Sequence, residues 1–404
     1  MKTKLPALLR KTLLIVFFLI GYFAGIFAQS NAANAGKEFY ISCLKHANGA
    51  SAVQIKVIVE KTCYITANYN NQHGVYWNNW NNTLVQPGIY TADAIRDNIL
   101  TIPPLGTGQV TSRTLTLTST ENICVYVIHY YDNGGATCVL PVSTWGTEYR
   151  LATGNPFPSW YRSAYAVVAS EPNTVVTLHD NSTITLNKNE VYHFSVNGVD
   201  MTGMRISATK PVALFSGSEY GDTDCPYLDG ASGDTYEQLW SVDKWGKDFF
   251  AFPVCTPESL WSRAWGGKLA LVANENGTNI TVSGGINGGT PLNYSLNAGG
   301  KQYICDTMSG LTRIVSDKAI MVFLLLPVAS LTTIFPTDQR IQHALVAPFV
   351  IHSGVNVFIN QHGIDMLVRA EYWDQTVIKH DGVVVSNSLY TVNTNTYFPG
   401  LLTV

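Results

Sequence analysis

The chain has 404 residues, 46% hydrophobic and only 13% charged, with 25 Lys and Arg against 28 Asp and Glu and a formal net charge of −3. That is about half the usual charged share, so surface polarity rests on Asn, Thr, Ser, Gly and Tyr, which suits an exported β-rich protein better than a cytosolic enzyme. The acid excess argues against a nucleic-acid partner, because phosphate binding needs clustered Lys and Arg.

The chain opens as a secretory signal. Lys2, Lys4, Arg10 and Lys11 precede an apolar run from Leu13 to Ala28, and small residues follow at Ala32, Ala33 and Ala35. Cleavage after Ala28 is expected, with residues 1–28 as signal peptide; the rival reading is an uncleaved anchor. The run is short for a span, which needs roughly 20 residues. Cleavage removes four basic groups, takes Lys plus Arg from 25 to 21 against 28 acids, and moves the charge from −3 to −7. No membrane span is expected in the mature chain; Ile320 to Val328 reads as a fully buried strand. The remainder exceeds what one core usually holds.

Strand signals then run to the end. Val53, Ile55, Val57 and Val59 alternate with Gln54 and Lys56, Ile184 with Leu186, and Ile280 with Val282 across polar neighbours. Asp381-Gly382, between Val377-Ile378 and Val383-Val384-Val385, predicts a tight hairpin, because both turn positions tolerate positive φ.

The strands recur in order. Trp145-Gly146-Thr147-Glu148-Tyr149 returns as Trp245-Gly246-Lys247-Asp248-Phe249, and Gly36-Lys37-Glu38-Phe39-Tyr40 is a copy without the Trp. Ala166-Val167-Val168-Ala169 with Glu171 and Thr174 returns as Ala270-Leu271-Val272-Ala273 with Glu275 and Thr278, 104 residues on. Each unit closes on a buried strand: Cys124 to His129, Pro211 to Ser216, Ala319 to Leu326. Repeats are therefore expected at 36–144, 145–244 and 245–335, with an incomplete fourth at 336–404. His129 reads as a core histidine. The fold class is all-β, built of tandem sandwich-like units of about 100 residues; a β-propeller is the alternative.

Taken in this order, Gly36-Lys37-Glu38-Phe39-Tyr40, Lys210-Pro211-Val212-Ala213-Leu214-Phe215-Ser216-Gly217, Glu237-Gln238-Leu239 and Trp245-Gly246-Lys247-Asp248-Phe249 resemble the N-terminal domain family of the IgGFc-binding protein of mucus and its bacterial relatives. The resemblance spans most of residues 36 to 335. It implies a large exported surface protein of adhesion type, without a catalytic motif to transfer and without IgG binding following from the name.

Seven cysteines remain, none in a CxxC pair, which argues against structural zinc or a redox motif. In an exported chain disulfides are the default; Cys124 with Cys138 and Cys225 with Cys255 are the expected pairs, the alternative being small buried hydrophobes. Glu219, Asp222, Asp224, Asp229, Asp234 and Glu237 lie within nineteen residues. Such oxygen density suits Ca²⁺, with Asp222, Asp224, Asp229 and Asp234 as ligands, although the spacing is not that of an EF-hand; a solvated loop is the competing reading. Their mutual repulsion needs a compensating charge, for which Lys210, Lys244 and Arg205 are the sequence neighbours. Trp77 and Trp80 among asparagines, and Trp261 and Trp265 around Arg263, are candidate binding aromatics for a glycan or protein ligand, against ordinary packing. No HExxH, G-x-S-x-G or P-loop occurs. Five N-x-S/T sequons, at Asn81, Asn181, Asn276, Asn279 and Asn293, suit glycan sites in a eukaryotic route and chance in an Asn-rich bacterial chain. The sequence thus points to a non-catalytic extracellular or cell-surface binding or adhesion module, with a carbohydrate-active enzyme and a structural subunit of a surface filament or stalk as alternatives.

Overall fold

The computed structural model describes residues 34–44, 52–69, 72–73, 80–92, 108–130, 135–156, 161–222, 233–251, 268–306, 308–326, 330–334 and 336–337, with strand pieces at 367–369, 379–380, 383–384, 393–394 and 401–403. The proposed signal peptide lies outside them. The described secondary structure is all-β apart from single 3₁₀ turns.

In chain order the strands are β1 (Ala35–Ile41), β2 (Ala52–Val59), β3 (Cys63–Tyr69), β4 (Gln72–His73), β5 (Thr83–Val85), β6 (Gly88–Ala92), β7 (Gln109–Thr111), β8 (Leu115–Tyr130) and β9 (Ala136–Val139). There follow β10 (Gly146–Arg150), β11 (Asn155–Pro156), β12 (Arg162–Ala169), β13 (Thr174–Thr177), β14 (Thr183–Leu186), β15 (Val191–Asn197), β16 (Arg205–Asp222) and β17 (Gly233–Gln238). The third set is β18 (Gly246–Ala251), β19 (Lys268–Ala273), β20 (Thr278–Gly284), β21 (Leu292–Leu296), β22 (Lys301–Ile304), β23 (Thr312–Leu326) and β24 (Ser330–Ile334). Further on, β25 (Leu367–Arg369), β28 (Asn393–Thr394) and β29 (Leu401–Thr403) form a small sheet, and β26 (Lys379–His380) pairs with β27 (Val383–Val384) across Asp381-Gly382, as the sequence predicts.

Three antiparallel sheets share one plan. Their orders are β4-β3-β8-β2-β6, β14-β13-β16-β12-β15-β7 and β21-β20-β23-β19-β22, and the remaining strands of each pair with the long strands β8, β16 and β23 or, for β5, with β3. One strand crosses over: β7, inside the first expected repeat, hydrogen-bonds to β15 of the second sheet. Small local bonds recur with the plan. The Thr174 hydroxyl donates to the Glu171 carbonyl at 2.8 Å, and that of Thr278 to Glu275 at 2.8 Å.

The sheets stack face to face. Val53, Ile55, Val57 and Val59 share a buried cluster with Ala164, Ala166 and Val168. Tyr165, Val167 and Ala169 turn the other way and pack with Ala270 and Val272, while Leu269 and Leu271 enter a third cluster. Strands β12 and β19 are thus covered on both faces, which is why they read as apolar runs without alternation.

The recurrent glycine sits where the chain passes from one sheet to the next. A register shift interrupts pairing between Gly36 and Glu38, between Gly146 and Glu148, and between Gly246 and Asp248. The linker leaving each sheet lies against this point: a Cβ on Gly36 would fall 2.3 Å from Pro141 Cβ, and one on Gly146 would fall 2.4 Å from Ser241 Cβ. Trp145 and Trp245 then lock the linker by donating Nε1–H to the carbonyls of Leu140 at 3.1 Å and Trp240 at 3.3 Å.

Gly146→Ala is therefore expected to cost about 1–3 kcal/mol or more through overpacking against Ser241 and Asp243. Gly277→Ala, at a φ of 62° with nothing within 4 Å, carries only the backbone strain of about 1 kcal/mol. Urea midpoints of the two variants check the ranking, and the reverse order would remove the close approach as the reason for the motif.

Candidate functional site

The acidic stretch begins and ends in structure rather than in solvent. Glu219 on β16 is 6% exposed, and Arg162, which opens the neighbouring β12, places Nη1 3.7 Å from its carboxylate. The cations nearest in sequence are engaged elsewhere: Lys210 with Glu171, Arg205 with Glu148 and Lys244 with Asp243. Compensation for Glu219 thus comes from 57 residues upstream, a pairing that only the sheet creates. Asp222 ends β16, its backbone opposite Asn155, and Asp234 lies in β17, while Asp224 and Asp229 are outside the described residues. Among the described residues no group of three or more His, Cys, Asp or Glu is arranged to hold a metal ion.

Glu237, at the far end, is buried between sheets. It is 8% exposed and accepts hydrogen bonds from the Thr333 amide at 3.2 Å and the Thr333 hydroxyl at 2.8 Å, both on β24 of the third sheet. The Thr137 hydroxyl, on β9 of the first sheet, also bonds to it. Burial pushes its carboxyl up to about 7, the threonine hydrogen bonds drawing it only partly back. Its neighbours reach across as well. The Tyr236 hydroxyl donates to the Ser42 carbonyl at 2.8 Å, the Gln238 amide to Thr137 Oγ1 at 2.8 Å, and the Leu140 amide to Gln238 Oε1 at 2.7 Å. The run Glu237-Gln238-Leu239 is thus a three-sheet junction.

Other polar groups tie the sheets in pairs. Asp200 accepts from the Tyr303 hydroxyl at 2.7 Å and forms an ion pair with Lys301. Arg150 donates Nε–H to Asn274 Oδ1 at 2.7 Å and Nη1–H to the Gly203 carbonyl at 3.0 Å. Between the first two sheets, His193 Nε2 lies 2.9 Å from Ser42 Oγ, and burial with the nearby Arg113 charge pushes the imidazole down to about 3. Burial therefore favours the neutral ring.

The aromatic expectation changes at Trp80. It is 4% exposed, stacks edge-on against Tyr90 at 5.5 Å and belongs to the first core cluster, and its carbonyl accepts the Ala67 amide. It is a packing residue. Trp77, Trp261 and Trp265 lie outside the described residues.

The cysteine expectations divide. Cys124 and Cys138 are free thiols, not the expected disulfide. Cys138 sits opposite Tyr126 across β8 and β9, so Cys124 is its diagonal rather than its direct neighbour, and both pack with Ile58 and Tyr126. Burial raises both thiols, Cys124 to about 12 and Cys138 further. Cys43 and Cys63 are also free, whereas Cys305 is disulfide-bonded. Cys225 and Cys255 lie outside the described residues, so peptide mapping without reduction is expected to link Cys305 to one of them. A peptide joining Cys225 to Cys255 would instead restore the pairing that spacing suggests.

Glu237 sets a pH dependence. Between pH 4.5 and about 7 the folded protein keeps a proton that the unfolded chain has lost, so this group's contribution is full below that window and falls as pH rises through it. His193, depressed when folded, acts in the opposite direction below pH 6.5, so the measurement is a difference between proteins. Relative to wild type, Glu237→Gln is expected to gain up to about 3 kcal/mol between pH 5 and pH 8, read from urea unfolding. Parallel pH curves would assign the effect to another group.

No curated protein matches the chain, and no solved structure does. The family model of the IgGFc binding protein matches residues 135–399, from the strand β9 through the second and third sheets and on past the hairpin at Asp381-Gly382. All of the first sheet except β9 lies ahead of the matched span, although that sheet shares the strand plan of the other two. A match over 265 of 404 residues makes this chain a member of the IgGFc binding protein family.

Proposed function

We propose that the chain is a non-catalytic extracellular or cell-surface binding module of adhesion type, whose ligand is a protein or a glycan. The family match over residues 135–399 carries this reading, because the family is one of binding modules. Export is supported by the charged-then-apolar start of the sequence and by the disulfide at Cys305, since such bonds persist in oxidising compartments. No helix among the described residues is long and apolar enough to cross a membrane.

Strand register supports a location for the binding face. The connection carrying Asp224 and Asp229 leaves β16 at Asp222 and returns at Gly233. The connection carrying Trp261 and Trp265 returns at Lys268, which pairs with Leu325 near the end of β23. Strands β16 and β23 hold equivalent places, so the second connection returns at the end where the first leaves and returns, having left β18 at Ala251, opposite Thr312 at the other end of β23.

The family's name makes the Fc region of IgG the first protein to test, beside a glycan array. The purified exported chain is expected to bind one of these ligands saturably, without altering it. Release of new reducing ends from a bound glycan would replace this reading with a carbohydrate-active enzyme. Filaments of the purified chain with no ligand bound would replace it with a structural subunit.

A further inference from the structure

The three sheets treat one equivalent edge differently. Val57 pairs with Tyr90 of β6 on one side and Val125 on the other, as Val167 pairs with Tyr192 of β15 and with Leu214. Tyr90 and Tyr192 therefore occupy the same seat, and Ile89-Tyr90-Thr91 corresponds to Val191-Tyr192-His193.

In the second sheet that edge is closed by β7, which sets Thr111 opposite Val191, Val110 opposite Tyr192 and Gln109 opposite His193. Beneath it the three residues are 0%, 7% and 1% exposed. Gly108 lets the added strand come this close, since a Cβ there would fall 1.8 Å from the Tyr192 hydroxyl. The third sheet's edge, β22, is approached by the chain before β16, with Asp200 bonding to Lys301 and Tyr303. In the first sheet, β6 has no strand on its outer side among the described residues. Ile89 is 45% exposed there, and its ladder partner Ile58 is buried at 7%.

We propose that the outer edge of β6 at Ile89-Tyr90-Thr91 is a strand-addition site for an extended segment of a partner polypeptide, running antiparallel with an apolar residue opposite Tyr90. An unpaired edge presents a row of backbone donors and acceptors that a second chain can extend; main-chain bonds give affinity and alternate side chains give selectivity. The segment that fits β15 has a glycine followed by a polar, an apolar and a β-branched residue, and the equivalent register on β6 selects the same order. The apolar step lies on the face of Tyr90 and its ladder partner Val57, and the β-branched step on the face of Ile89 and Ile58. This deepens the binding-module reading and rests on it, but the test below uses no Fc or glycan, so each can fail alone.

The probe is a peptide copying residues 107–113, titrated into the full exported chain. Anisotropy of the labelled peptide is expected to saturate, and amide exchange at those of Ile89, Tyr90 and Thr91 whose N–H points away from β2 to slow about tenfold or more as the ladder forms. A peptide with proline in place of its valine should not bind, because proline lacks the N–H a ladder needs. Ile89→Lys in the chain should weaken the peptide about tenfold, as a charge on an edge strand does, with thermal unfolding nearly unchanged. Absence of binding at millimolar peptide would overturn the proposal. So would amides at 89–91 already as slow as those at 191–193 without peptide, which would mean closure by the chain itself. Protection that rises with chain concentration alone would assign the edge to a second copy and overturn it equally.

Discussion

One long strand in each sheet, hydrogen-bonded along both edges, is the condition on which the rest of the structure depends. Strand β16 pairs with β10, β11, β12, β13 and β17, and β8 and β23 serve their sheets in the same way. Such a strand satisfies its own backbone only if neighbours line both sides. Val212 and Leu214 point into one core cluster and Ala213 and Phe215 into another. Face-to-face stacking is what covers both sides, so a unit of this kind is incomplete alone and neighbouring sheets stabilise one another.

That stacking decides where charge goes. A low share of charged residues would leave ordinary surface roles thinly filled, yet several of these side chains lie between sheets. Arg150 reaches Asn274, Asp200 reaches Lys301 and Tyr303, and Glu237 reaches Thr137 and Thr333. Buried polar groups are costly unless paired, and each of these finds its partner on another sheet. They penalise sliding of one sheet over the next more than they reward burial, which apolar side chains supply. Glu237 is the extreme case: burial disfavours its carboxylate more than the hydroxyl and amide donors favour it, and the junction is held most firmly with the proton on.

Much of this plan was legible in the sequence because it is local. Alternation in β2, the buried run from Val212 to Ser216 within the expected Pro211 to Ser216 strand, and the hairpin at Asp381-Gly382 all read correctly from spacing. The recurring Gly-x-Glu/Asp-aromatic motif was visible as a repeat, but its reason was not, since the obstacle to a Cβ on Gly146 is Ser241, almost a hundred residues later. What failed to show was nonlocal. Nothing in Gln109-Val110-Thr111 says that it leaves its own sheet for β15. Arg162 cannot be matched to Glu219 without the ladder between β12 and β16, in which Ser163 lies opposite Ser218. Trp80 read as a candidate binding aromatic because asparagines surround it, whereas contact with Tyr90 and the core decides its position. Cys124 and Cys138 are close in sequence, but the register sets them diagonally across two strands.

These assignments narrow where recognition can reside. Glu219, Glu237 and Trp80 were nominated by composition and serve the scaffold, which removes both ends of the acidic run and one aromatic from the candidate surface. Of the remaining nominees, Asp222 ends β16 and Asp234 lies in β17, while Asp224, Asp229, Trp77, Trp261 and Trp265 belong to chain segments between the described strands. Connections can vary without disturbing a ladder or a sheet-to-sheet contact, and this division of labour lets one scaffold carry different ligand surfaces. The exposed edge of β6 is a different resource. Its hydrogen-bonding groups belong to the backbone and persist through any substitution other than proline, so recognition there depends on strand geometry first and on side chains second. The two proposed means of holding a partner are thus independent, one set by loop composition and one by the edge of β6 that no described strand covers.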